Sequence, residues 1–177
     1  MHGKQVVNPF KFYYFRPFLK NEQMLKEFEN LREDEIDVLL KAPVYVAILI
    51  AGADGNIDKS ERKEAIEIAH SKQSRAREQL VDYYKLVGDQ FEDSFNKLID
   101  QLPNGAEDRN TAINTELRKL NFIFPKIDKN FTVKLYASLK ELAKKIAEAS
   151  GGLLGYLSVS YEESKMIELK AITDPSK

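Results

Sequence analysis

Ala47-Ile48-Leu49-Ile50-Ala51-Gly52-Ala53-Asp54-Gly55-Asn56-Ile57-Asp58-Lys59-Ser60-Glu61-Arg62 is the stretch whose reading decides the fold. Residues 44–53 are apolar on every face, so as a helix they belong inside the molecule rather than on its surface. Gly55 suits the left-handed residue that closes such a helix, because a side chain there would clash. Asp58 then reads as the N-cap of a second helix, with Glu61 three positions on completing a capping box.

An alanine-rich apolar helix, Ala-Asp-Gly, a short polar step and a Glu opening the next helix together resemble the TerB-like family. That family is named for a tellurite-resistance protein and is also seen at the N-terminus of some membrane-anchored J-domain co-chaperones. Ala53, Asp54, Gly55, Ile57 and Glu61 carry the resemblance. It implies a compact all-α domain with two such turns, a link to tellurite or general stress response, and acidic turn residues acting as a metal site. It implies no defined enzymatic activity.

The residues themselves allow the same chemistry. Asp54, Asn56, Asp58, Ser60 and Glu61 present oxygen donors at close spacing, the composition that hard cations such as calcium, magnesium or manganese prefer. The turn is no EF-hand, since counting from Asp54 puts Lys59 where that loop needs Gly and Ala65 where it needs a bidentate Glu. Further ligands would come from Glu148, Glu162 or Glu163 if two such turns lie side by side, as the resemblance implies. A structural reading competes: capping accounts for Asp58 and Glu61 at about 1 kcal/mol, and a helix-end turn accounts for Asp54. Carboxylates about 4 Å apart repel by about 1 kcal/mol per pair in water. A gathering of three therefore needs a cation, a proton, or basic neighbours such as Lys59 and Arg62.

Working outward, Phe10-Lys11-Phe12-Tyr13-Tyr14-Phe15-Arg16-Pro17-Phe18-Leu19 packs aromatics between Pro9 and Pro17, which argues for an extended arm over residues 1–20. Its rings either wrap the helices or form a partner or homodimer surface. From Asn21 the period is helical, with Met24, Leu25, Phe28 and Leu31 in one stripe and Ile36, Leu39 and Leu40 in another after an acidic break at Glu33-Asp34-Glu35. Pro43 reads as the first-turn proline that starts the central helix.

Downstream, residues 57–69 form a surface helix with Ala65, Ile66 and Ala69 inward, and His70 with the cations after it complements the helix dipole. Leu80, Tyr83, Tyr84 and Val87 mark a helix ended by Gly88. Phe91, Phe95, Leu98, Ile99 and Leu102 mark another, ended by Pro103-Asn104-Gly105. Ile113, Leu117, Leu120 and Phe124 belong to a further helix stopped by Pro125. Asp128 or Asn130 caps a long one carrying Leu135, Leu139, Leu142 and Ile146. Residues 146–151 align with residues 50–55 as a second copy of the turn, with Ser150 in place of Asp, and a last helix runs from Glu162 to about Ile172.

Composition narrows the classes. With 28 acidic and 27 basic side chains the net charge is -1, which leaves no excess to hold a nucleic-acid backbone or an anionic membrane. No cysteine is present, so disulfides, thiolate metal sites and Cys nucleophiles are excluded. Neither His2 nor His70 stands by a nucleophile motif, and no Gly-rich phosphate loop occurs. No run reaches the roughly 20 apolar residues of a membrane span, nor a signal-peptide core, which leaves the cytoplasm as the expected compartment. The expectation is an all-α bundle of about seven to nine helices, with two pseudo-repeated helix-turn-helix units over residues 21–177 and an aromatic arm before them. Its function is non-enzymatic, with Asp54, Asn56, Asp58, Glu61, Glu148 and Glu163 as candidate cation ligands. A protein-protein interaction module whose acidic turn is only structural is the alternative, and a carboxylate-based hydrolase a remote one.

Overall fold

The apolar run becomes the axis of the molecule. In the computed structural model, which describes residues 25–53, 57, 59–74, 78–153 and 166–177, α1 spans Glu33–Ala51 and packs against every other helix described. The others are α2 (Lys59–Ser74), α3 (Val81–Gly88), α4 (Phe91–Gln101), α5 (Ala106–Arg118), the single turn α6 (Leu120–Ile123) and α7 (Lys129–Leu153). No strand occurs among the described residues, so the all-α class holds. Ala42 to Ala51 are all buried, as a helix without a polar face requires. Around them, Phe91, Phe95, Ile113, Leu117, Leu135, Leu139 and Leu142 complete one continuous core. None of the described helices is long and apolar enough to cross a membrane.

Several local expectations give way to tertiary packing. Glu33, Asp34 and Glu35 are the first turn of α1 rather than a break, where their charge complements the positive end of the helix dipole. Pro43 lies in the middle of α1 and does not start it. Having no N–H, it leaves the Leu39 carbonyl without its helical donor. The hydroxyl of Tyr83, reaching in from α3, donates to that carbonyl at 2.7 Å. The stripe from Leu25 to Leu31 forms only a 3-10 turn at Lys26–Phe28, with Phe28 in the core; Met24 lies outside the described residues.

The helices α3 and α4 fall where the apolar stripes put them. The helix expected through Phe124 is interrupted at Lys119, and this break lets Leu120, Ile123 and Phe124 all reach the core. Asp128 caps α7, its Oδ1 accepting the Phe131 N–H at 2.9 Å. Helix α7 then continues through Ser150, Gly151 and Gly152 to Leu153, so no turn forms at the position expected for the second copy. The last helix also ends earlier than expected. Met166 and Ile167 are helical, but Leu169 takes φ 47°, outside the right-handed helical range, and the chain leaves the helix there with Leu169 and Ile172 buried. The aromatic arm lies outside the described residues.

Candidate functional site

The acidic turn begins at the C-terminus of α1, an electronegative place because a helix ends in unpaired carbonyls and the last turn of α1 carries no basic residue. The cation arrives from elsewhere. Arg109, buried on α5, donates from Nη2 to the Gly52 carbonyl at 2.9 Å and from Nη1 to the Asn104 carbonyl at 3.2 Å. This approach explains Gly52, since a Cβ there would stand 2.7 Å from Arg109 Nη2 and 3.1 Å from the Ile48 carbonyl oxygen. On the far flank of the turn, Ile57 packs against the core. In the first turn of α2, Arg62 Nε donates to Asn96 Oδ1 of α4 at 2.6 Å. Both flanks are therefore pinned to the body of the molecule.

Of the expected ligands, Asp54, Asn56, Asp58 and Glu163 lie outside the described residues, as do Gly55 and Glu162. Glu61 is half-buried in the first turn of α2. Glu148 is exposed on α7 and pairs with Lys144 at 3.7 Å. Helices α2 and α7 do pack side by side, the adjacency that a ligand set drawn from both would need. Among the described residues, no group of three or more Asp, Glu or His side chains is placed to hold a metal ion.

A second polar group, unnoticed in the sequence, lies between α1 and α5. Asp37, Lys41 and Tyr45 stack at four-residue intervals on one face of α1, opposite Glu116 and Lys119. Lys41 Nζ donates to Asp37 Oδ2 at 2.7 Å, and Lys119 Nζ donates to both Glu116 oxygens at 2.7 Å. Asp37 Oδ1 is buried and receives no hydrogen bond from the described residues. Burial therefore pushes the Asp37 carboxyl above its ordinary range, against the pull of Lys41. Burial likewise raises the Tyr45 phenol, with the charges of Glu116 and Asp37 adding to it. Two acids and two bases balance here, each pair closed along its own stretch of chain, Asp37 with Lys41 and Glu116 with Lys119.

Arg109 was legible in principle. It stands four residues before Ile113 and eight before Leu117, in phase with the apolar stripe of α5, so it faces inward. Comparison with protein-family models, with curated proteins and with solved structures returns no match.

Proposed function

We propose that this chain is a non-enzymatic, TerB-like helical domain whose working part is the acidic turn after α1, which takes a hard divalent cation through Asp54, Asp58 and Glu61. The observation that supports this reading is the framing of the turn. Its flanks are held by Arg109 on Gly52 and by Asn96 on Arg62, so its oxygen donors leave a rigid base at an electronegative helix end. Calcium, magnesium or manganese is the fitting class, because the donors are carboxylate and amide oxygens. Glu148 and Glu163 are the remaining candidate ligands, with Asn56 in the turn. The resemblance extends the reading to a cytoplasmic role in tellurite or stress response, to a bundle of seven to nine helices, and to a second helix-turn-helix unit.

The same arginine favours a second reading. A buried guanidinium at the helix end already answers part of the demand for positive charge. The turn is then structural, and the domain works as an interaction module through its aromatic arm, residues 1–20, binding a partner or a second copy. Thermal unfolding with and without each cation, repeated on Asp54→Asn and Asp58→Asn, separates the two. Ligand at a hundred times its dissociation constant adds about 2.7 kcal/mol if it binds only the folded chain. The cation reading expects that gain in the parent and its loss in both variants. No gain with any ion, together with a mass that rises with concentration only when residues 1–20 are present, would leave the interaction reading standing alone.

A further inference from the structure

The polar group between α1 and α5 is balanced in charge but not in hydrogen bonds. Asp37 is 7 % exposed, and of its two carboxylate oxygens only Oδ2 has a donor, the Lys41 ammonium at 2.7 Å. Oδ1 is buried and has none. An atom closed to solvent and to donors alike is relieved by a proton, which removes the charge itself. The groups that face Asp37 are on two elements. Lys41 and Tyr45 follow it on α1 at one-turn intervals, and Glu116 of α5 stands opposite with Lys119 at the end of that helix. Among the described residues, no charge on the other helices packed against α1 acts on Asp37. Burial keeps the Tyr45 phenol protonated, so the charges in play are two carboxylates and two ammoniums.

The same placement fixes where Lys41 goes once Asp37 is neutral. Its side chain is 18 % exposed, and among the described residues Asp37 is its only hydrogen-bond partner. A largely buried ammonium stripped of its counter-charge is costly. Glu116 is the anion that remains. Its charge is felt at both Asp37 and Tyr45, one turn to either side of Lys41, which sets it level with Lys41 across the helix contact. Its carboxylate takes two hydrogen bonds from Lys119 and has lone pairs for a further donor. We propose that Asp37 is a proton-operated latch, whose protonation hands Lys41 from Asp37 on α1 to Glu116 on α5 and so replaces a bond within one helix by an ion pair between two. Burial raises the Asp37 carboxyl above 3.8 in the folded chain, so the proton enters as pH falls through that raised value and the clasp forms on its acid side. The latch stands about 22 Å along α1 from Gly52 and is independent of the cation reading of the acidic turn.

Asp37→Asn imitates the neutral carboxyl at neutral pH, so the hand-over can be tested without acid. A double-mutant cycle of Lys41→Met and Glu116→Gln, read by urea unfolding of the full chain, is run in the parent and in the Asp37→Asn background. The coupling between Lys41 and Glu116, as a ratio of unfolding constants, is expected to be at least about fivefold larger and favourable in the Asp37→Asn background. Equal coupling in the two backgrounds would overturn the proposal. Side-chain NMR on the parent chain is the second measurement. As pH falls, the Lys41 resonances should shift with the midpoint of the Asp37 carboxyl carbon, and a nuclear Overhauser contact from the Lys41 ε-methylene to the Glu116 γ-methylene should appear below it. An Asp37 titration that leaves Lys41 unmoved and brings no such contact would equally overturn it. If any variant fails to fold, the titration of the parent chain decides alone.

Discussion

The hydrogen bond from Tyr83 to Leu39 gives the fold its sharpest prediction. Pro43 removes the N–H that would have met the Leu39 carbonyl, and the Tyr83 hydroxyl takes its place at 2.7 Å inside the core. Tyr83 is 0 % exposed, and burial holds its phenol protonated well above the ordinary range, so it stays a donor at every working pH. Tyr83→Phe keeps the ring and its edge contacts with Tyr84 at 5.1 Å and Phe131 at 6.0 Å, and deletes only the donor. A buried carbonyl left without a partner costs about 1–3 kcal/mol, and that is the expected loss. In a Pro43→Ala background the helix regains its own N–H for Leu39, so the same Tyr83→Phe change should cost at least about 1 kcal/mol less. Urea unfolding of the four proteins measures this as a double-mutant cycle, with midpoints compared at a constant slope. Equal costs in the two backgrounds would show that the hydroxyl does not substitute for the missing helical donor.

Gly52→Ala forces a methyl against Arg109 Nη2 and the Ile48 carbonyl, and should destabilise by about 1–3 kcal/mol in the same assay. Arg109→Met strands the Gly52 carbonyl and should also cost about 1–3 kcal/mol. Acid titration of stability should show two opposed contributions. The Asp37 carboxyl is raised above 3.8, so its contribution is fully present below that pH and is lost as pH rises through the folded value; Asp37→Asn removes this downward slope. The Glu35 carboxyl is lowered below 4.5, chiefly by its hydrogen bond from Lys126, so its contribution is present above that pH and is lost as pH falls; Glu35→Gln removes this upward slope.

The central helix and its neighbours could be read from apolar period alone, because packing one stripe against another is what the period encodes. Asp128 announced the start of α7 by residue type and position, and the structure uses it so. What escaped was long-range. Pro43 looks like a helix start until a tyrosine 40 residues away is known to mend the break. Gly151, aligned with Gly55, looks like a stop, yet α7 runs past it. Of the candidate site, the sequence marked the turn and the cations beside it in the chain, Lys59 and Arg62, but not Arg109, which reaches Gly52 from 57 residues away. Asp37 and Glu116 are likewise 79 residues apart in sequence, and no local pattern links them.

The cation claim meets its most direct test in manganese binding, followed by the loss of the free-ion paramagnetic resonance signal as the full chain is added. The account predicts saturation near one ion per chain, competition by calcium or magnesium, and loss of binding in Asp54→Asn and Asp58→Asn. A free-ion signal that the parent chain leaves unchanged, or a binding curve identical in the parent and both variants, would contradict it.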